Sequence, residues 1–600
     1  MNILNKAFSL LDKKQRWSMV GLLVIFLITA LVQLAGVGSI MPFLSLLTNP
    51  DLVQQNKLLS TVYEIFKFED ITSFLFFIGF IVLGLFIITN VMIATTLWVT
   101  TKFAWSTQAR IAISLFKSYL LQPYETFLNR NTSDIGKNIL TETHQLVAGI
   151  LVPILRMVAY GMVAFFTTLF LVLFDPFLAT ISIFVTAGGY GCYYLFVQQK
   201  LHRKGQERLI STTNRYKIAA EAFGGVKETK VAGKELAFVE QFVPPSLEYS
   251  KAMTAQQIIK DLPRYIFETL AFGSLLSVIL FLIASGGNLQ NVVPIAGMYA
   301  FAGYRLLPAI NDIYRNLSAI RFNLPVLNTI YEEMNNIEID DIYIEKNNND
   351  ETINNLCFKR ALELKNVSFK YPKSTEYAIK NINLNIEKGS FVAIVGQTGS
   401  GKTTLVDIIL GLFNPKEGDV MADGVSINNS NIKEWQKIIG YVPQDIFLTD
   451  DTVSANIAFG VPADKRNNEL IYKAARIANI HDFIINELTD AYDTIVGERG
   501  IRISGGQRQR IGIARALYND PELVILDEAT SNLDQTTEAS VYKAIKQTAA
   551  KKTVIMIAHR LQRVKSCDQL FVIDNGKLVG QGNYKDLIKN NETFKEMVKA

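Results

Sequence analysis

Gly396-Gln397-Thr398-Gly399-Ser400-Gly401-Lys402-Thr403 fits the spacing G-x-x-x-x-G-K-[ST]. Glycines at these positions let backbone N–H groups approach phosphate oxygens. Lys402 can reach terminal phosphates, and the Thr403 hydroxyl can ligate Mg2+. Thr404 extends the phosphate-binding set by one residue. Downstream, Pro521-Glu522-Leu523-Val524-Ile525-Leu526-Asp527-Glu528 reads as a buried strand ending in two carboxylates. Delivered beside a phosphate loop, Asp527 can hold Mg2+, usually through water. Glu528 points differently and can orient and deprotonate an attacking water. Ser504-Gly505-Gly506-Gln507 offers a hydroxyl, two glycines and free N–H groups, the makings of an anion site at a helix N-terminus. The chemistry expected is binding and hydrolysis of a nucleoside triphosphate with Mg2+.

These residues need a strand, a glycine turn and a helix to hold them. Phe391-Val392-Ala393-Ile394-Val395 supplies the strand directly before Gly396. Alternation begins at Leu362-Glu363-Leu364-Lys365-Asn366-Val367-Ser368-Phe369, and β-type and helical runs then interleave to the C-terminus, as in an α/β domain. The expected division is a membrane part over 1–325, a linker over 326–360 that contains the polar run Glu345–Asp350, and a nucleotide-binding domain over 361–600. Composition supports two parts. Among 600 residues 49% are hydrophobic and only 19% charged, and the deficit of charge falls in the first half. The net charge of +5 comes without a long basic cluster, so no nucleic-acid partner is implied. Cys192, Cys357 and Cys567 are far apart and form no disulfide framework. Lys13, Lys14 and Arg16 precede an apolar run too long for a cleavable signal.

Six apolar runs, near 17–47, 72–100, 145–174, 176–199, 265–286 and 292–316, reach the roughly 20 residues needed to cross a bilayer. The connections after the second and fourth runs carry many Lys and Arg, whereas Ser285–Asn291 carries no charge. The positive-inside rule therefore puts both basic connections and both termini in the cytoplasm, for a multi-pass protein of the cytoplasmic membrane. Each basic connection reads as helical extensions interrupted by a break suited to a short crossing helix, at Gln122–Phe127 with Asn131–Asp134, and at Glu221–Glu228. Between the first two runs, Leu58, Leu59, Val62, Ile65 and Phe66 recur at helical spacing, either as an interfacial helix or as one packed on the bundle. Arg156, Arg264, Arg305 and Arg315 fall within or beside apolar runs. Arginines facing a shared cavity suit a phosphate or pyrophosphate, and arginines at the interface snorkel to headgroups instead.

Ile503-Ser504-Gly505-Gly506-Gln507-Arg508-Gln509-Arg510 is nearly identical to the LSGGQ signature of ATP-binding cassette (ABC) proteins, and the chain resembles an ABC transporter over essentially its whole length. The resemblance implies further site residues. Tyr371 would stack on adenine, and Gln444 would sense Mg2+ and contact the membrane domain. Asp534, in Ser531-Asn532-Leu533-Asp534, would belong to the D-loop. His559 would contact the γ-phosphate, and Glu498 would sit in an exporter-type coupling loop. The family sandwiches ATP between the phosphate loop of one ATPase domain and the signature of another. A second copy of the chain, a homodimer, is thereby implied. The domain order resembles six-span exporter half-transporters of type IV fold: a membrane α-helical domain fused to a C-terminal α/β P-loop ATPase domain. No separate binding protein is expected.

Parts of the membrane half resemble PglK-type lipid-linked oligosaccharide flippases, at residues 53–67, Pro123–Phe127, Pro263–Glu268 and Tyr304–Ala309. That likeness implies a lipid-linked glycan substrate with Arg264 and Arg305 as pyrophosphate contacts. The second span carries no arginine, which makes the cavity less cationic. Two alternatives stand beside this reading: a broad lipid or drug exporter, and a non-transporting ABC ATPase.

Overall fold

The computed structural model describes residues 3–48, 53, 57–68, 70–128, 130–174, 176, 180, 188–284, 289–335, 356, 358–372, 374–528, 552–558 and 563–599. Contacts divide the chain into two compact units: Met1–Gln122 with Arg130–Ile339, and Pro123–Asn129 with Asp340–Ala600.

The first unit is helical. Its long helices are α1 (Lys13–Thr48), α2 (Ile71–Leu120), α3 (Val152–Phe174), α4 (Gly189–Gly224), α5 (Glu235–Ala284) and α6 (Leu289–Asn335). Asp70 caps α2 by accepting from the Ser73 N–H. At 50 residues α2 is roughly 75 Å long, more than twice a bilayer's hydrocarbon core. The second apolar run therefore continues as helix into its basic connection. Among the described residues, Lys13–Thr48, Ile71–Leu120 and Thr132–Leu173 are long and apolar enough to cross a membrane. The third of these starts well before the apolar run near 145, because the helical path begins at Thr132 and runs through π-turns at Asn138–Glu142 and Val147–Leu151. The expected run 176–199 lies largely outside the described residues until Gly189, and those at 265–286 and 292–316 fall in α5 and α6.

Both expected breaks are present. A short helix, Tyr124–Phe127, follows α2, and the next helix starts at Thr132 under an Asn131 cap. After α4 the chain turns at Gly225 into Val226–Val231. The segment Lys57–Ile65 is helical; Val62, Tyr63 and Phe68 pack with Leu46, Val53 and Phe74, while Ile65 and Phe66 remain exposed. One part of that helix therefore faces the bundle and another is free for lipid.

Two contacts hold this unit closely. Gly205 on α4 lies so near the Phe322 carbonyl of α6 that an added Cβ would sit 1.9 Å from its oxygen. Arg208 on α4 donates to Glu142 at 2.7 Å, with both side chains buried. A buried pair of this kind is costly to break, because the remaining charge is left without compensation.

The second unit is α/β. Its elements are β1 (Ala361–Phe369), β2 (Ile379–Glu387), β3 (Phe391–Val395), α7 (Lys402–Ile409), β4 (Glu417–Ala422), β5 (Val425–Ser426), β6 (Ile439–Val442), α8 (Gly505–Leu517), β7 (Leu523–Asp527), β8 (Thr553–Ile557), β9 (Gln569–Asp574) and β10 (Lys577–Gly582). An antiparallel sheet runs β2-β1-β4-β5. A six-stranded sheet runs β10-β9-β3-β8-β7-β6, parallel except for its β9–β10 edge. Period-2 alternation sorts β3 between two cores. Val392 and Ile394 join one with Leu405, Ile525 and Ile555, and Phe391, Ala393 and Val395 join the other with Val524, Leu526 and Met556. Burial on both faces explains why these strands read as continuous apolar runs.

Candidate nucleotide site and membrane cavities

The fully buried strand β3 delivers its C-terminal end to the phosphate loop. Two glycines make the loop's turn possible. Gly399 has φ +82° and Gly401 φ +103°, left-handed values that favour glycine. At Gly401 an added Cβ would also sit 2.7 Å from the Ala378 carbonyl oxygen. Helix α7 starts at Lys402, so its free N–H groups and positive dipole end face the loop.

Lys402 is buried and folds back over the loop, donating to the Gly396 carbonyl at 3.0 Å and the Gln397 carbonyl at 2.8 Å. Burial lowers its pKa from the ordinary lysine value, while Glu528 and Asp527 oppose the shift. The Ser400 hydroxyl is buried without a hydrogen-bond partner among the described residues. A cationic cradle with an orphaned hydroxyl and left-handed glycines fits a polyphosphate. Thr403 is exposed on the open side of the helix start. Thr404 is buried and shares a 2.9 Å hydrogen bond with the Tyr371 hydroxyl. Tyr371 itself is half-buried, edge-on to Phe413 at 5.6 Å and to Phe369 at 5.2 Å. Phe413 also meets Tyr124 of the short helix, at 5.7 Å, within the same unit.

Strand β7 places Asp527, buried, at its end. The Tyr441 hydroxyl on β6 hydrogen-bonds Asp527, and burial followed by the charges of Asp527 and Asp407 pushes that phenol upward. Burial likewise pushes the Asp407 carboxyl of α7 up to about 6, with the Asp527 charge adding. Immediately after Asp527 the chain turns sharply, with Glu528 at φ +49°. That left-handed residue costs roughly 1–2 kcal/mol, and the charges of both carboxylates reach Lys402. Gln444 donates to Glu528 at 3.1 Å. Among the described residues no group of three or more His, Cys, Asp or Glu can hold a metal. This donor set suits Mg2+, which uses one or two carboxylates together with substrate phosphates. Asp527 and Thr403, with Gln444, would hold it, and it would supply charge neutralisation at the phosphates.

The signature residues form a separate helix start. Ser504 caps α8: its hydroxyl accepts from the Gln507 N–H at 3.2 Å, and the Gln507 side chain accepts from the Ser504 N–H at 2.8 Å. These bonds close on themselves, leaving Ser504 and Gly505 exposed. Glu498 is exposed in a one-turn 3-10 segment next to it. His559 and Asp534 lie outside the described residues.

Arg515, farther along α8, has no place in the expected set. Its guanidinium donates to the Phe447 carbonyl at 2.7 Å, the Asn456 carbonyl at 2.8 Å and Asn456 Oδ1 at 3.0 Å, and lies 4.5 Å from the Phe459 ring centroid. It ties the signature helix to the segment that follows Gln444. Burial pulls its pKa down to about 10.

In the helical unit the two arginines expected at the substrate have different surroundings. Arg264 pairs with Glu268 at 2.6 Å and lines a cavity of about 150 Å³ with Asp312 and Arg315. Arg305 is half-buried, its guanidinium 5.6 Å from the Phe86 ring centroid and 5.8 Å from that of Tyr304, and it is absent from that lining. Arg156 lines a third environment, a cavity of about 370 Å³ among α1, α2 and α3.

The family described as "ABC transporter transmembrane region" matches residues 22–301, and that described as "ABC transporter" matches 379–531. The chain belongs to the ABC transporters. An "ATP-dependent lipid A-core flippase" of Saccharophagus degradans is 29% identical over 531 residues, covering 88% of this chain and 87% of the relative. The "Heterocyst differentiation ATP-binding protein HepA" of a Nostoc species is 34% identical over 379 residues, covering 62% and 59%. The solved "Structure of a bacterial Atm1-family ABC exporter with ATP bound" superposes with a TM-score of 0.77 over 98% of both chains, at 22% identity, a likeness of fold. This transporter is a multi-pass membrane protein that binds ATP with Mg2+ and couples ATP hydrolysis to export or flipping.

Proposed function

We propose that the transporter flips a lipid-linked saccharide across the cytoplasmic membrane, with both termini and the ATPase unit in the cytoplasm. The observation that carries this reading is the pair of guanidinium groups Arg156 and Arg305 on long helices of the membrane unit, with Arg264, paired to Glu268, contributing less. Charges there are expensive and default to function, and guanidinium matches phosphate geometry. The flippase relatives, matched along most of the chain, support a lipid-anchored substrate. In the ATPase unit, Lys402 and the loop N–H groups bind phosphate oxygens. Glu528, held by Gln444, orients the attacking water and takes its proton. Ser504 and Gln507 bind the nucleotide held by a second copy's phosphate loop. The exposed apolar side chains Phe223, Val226 and Val231, at the break after α4, suit burial against that copy.

One observation favours a hydrophobic cargo instead. A cavity of about 420 Å³ is lined by Phe165, Tyr190, Tyr194, Leu306, Ile310 and Tyr314 among others, the aromatic walls a drug or lipid exporter needs. Proteoliposomes separate the two. ATP-driven movement of a polyprenyl-pyrophosphate oligosaccharide, slowed by Arg305→Leu, is the expected result. Movement of hydrophobic dyes alone, indifferent to Arg305, refutes it.

A further inference from the structure

The cavity of about 370 Å³ among α1, α2 and α3 falls within the roughly 300–1,000 Å³ range of small-molecule sites. Its chemistry is unusual for lipid-embedded helices. Each wall presents a polar pair one helical turn apart: Thr29 and Gln33 from α1, Thr96 and Thr100 from α2, Arg156 and Tyr160 from α3. Such i,i+4 pairs share a face, so the three helices aim six polar side chains into one space.

Part of this belt is already satisfied. The Thr29 and Thr96 hydroxyls bond each other at 2.8 Å. Tyr160 is taken up as well, its hydroxyl hydrogen-bonding Asp312. Gln33 and Thr100 are not. Gln33 is only 9% exposed and Thr100 only 6% exposed, and neither has a hydrogen-bond partner among the described residues. A threonine inside a helix ordinarily spends its hydroxyl on the carbonyl four residues back, as Thr89 and Thr95 do on this same helix. Thr100 does not. A primary amide and a hydroxyl left open to a cavity at membrane depth are costly unless something polar fills it. Both groups donate and accept, as does a sugar hydroxyl, and Tyr160 and Trp105 add ring faces.

We propose that this belt is a saccharide subsite: Gln33 and Thr100 hydrogen-bond hydroxyls of the substrate's sugar head, while Arg156 meets its anionic group. The proposal rests on the lipid-linked saccharide reading above and names the site that reads the sugar. It assigns to two uncharged residues the specificity that arginines alone cannot give, because a guanidinium recognises phosphate irrespective of the glycan attached.

The test is a binding titration of the full-length protein in nanodiscs with a polyprenyl-pyrophosphate-linked oligosaccharide. Each lost hydrogen bond is expected to weaken binding about fivefold to tenfold. Gln33→Leu and Thr100→Val should each show that loss. Thr100→Ser keeps the hydroxyl and should bind within about twofold of wild type. If Gln33→Leu fails to fold, the Val/Ser pair at Thr100 carries the test, since Val is nearly isosteric with Thr. Wild type that binds while both apolar variants match it overturns this site and leaves the transport reading standing. Variants that lose dimers on sizing but keep affinity also overturn it, by making the belt a helix-packing seam. Wild type that binds no glycan lipid refutes the transport reading, and the subsite with it.

Discussion

Removing the Arg515 side chain should loosen the segment that follows Gln444 more than any other single change on α8. Arg515→Ala deletes three charge-assisted hydrogen bonds and a ring contact. The acceptors are not equivalent. Phe447 is exposed, so water can replace the guanidinium at its carbonyl. Asn456 is fully buried; its Oδ1 keeps the Thr449 N–H and hydroxyl as donors, but its carbonyl loses a donor that water cannot easily supply. With about 1.5–3 kcal/mol for the charged hydrogen bond to the Asn456 carbonyl and about 0.5–1 kcal/mol for the Phe459 ring contact, the net cost is about 2–4 kcal/mol. Arg515→Lys should recover little, because an ammonium cannot match the planar fork. Hydrogen exchange by mass spectrometry on the full-length protein reads the outcome directly. Amides of 447–459 should exchange on the order of 30- to 1,000-fold faster, and ATPase turnover should fall as Gln444 loses its footing beside Glu528. Unchanged protection over 447–459 in Arg515→Ala would refute the reasoning.

Other expectations follow from the same contacts. Asp407→Asn should stabilise the nucleotide-free protein at pH 7.5 by about 1–2 kcal/mol, discounted for residual solvent. The raised folded-state pKa of Asp407 means the folded protein holds a proton that the unfolded chain has released, so the wild-type penalty grows between about pH 4 and 6 and is constant above. The variant's advantage in thermal melts should therefore vanish as pH falls from 6 to 4. Phe413→Ala removes the ring on which Tyr371, Phe369 and Tyr124 converge, and should cost about 3–5 kcal/mol and raise the KM for ATP. Glu142→Leu strands buried Arg208 and should destabilise by about 3–5 kcal/mol, whereas the double variant with Arg208→Met should recover most of it in the same denaturation assay.

The phosphate loop, the acidic strand end and the signature were legible because their chemistry demands glycine, lysine and carboxylate at fixed spacing. Arg515 was not, because it bonds backbone carbonyls far away in sequence, which leave no residue pattern. The Gln33–Thr100 belt escaped for another reason. A search for charges in apolar runs passes over uncharged amides and hydroxyls, and only the packing of three helices brings them together. Arg264 is not a bare cation. Glu268, one turn on at i,i+4, neutralises it, and that spacing was readable. The helices run beyond the apolar stretches into the basic connections, as those connections read, since hydropathy marks the lipid and not the end of the helix.

On the proposed reading the phosphate loop is half a site, completed by a second copy's signature. Lys402→Ala disables the loop in one copy, and Ser504→Arg disables the signature in the other. Alone, each variant should lose ATP hydrolysis. Mixed dimers of the two retain one intact composite site, pairing the loop of one copy with the signature of the other. ATPase activity measured on purified mixed dimers should therefore return, to a substantial fraction of wild type where one site can turn over alone. Mixed dimers as inactive as either parent would contradict the claim that a second copy completes the site.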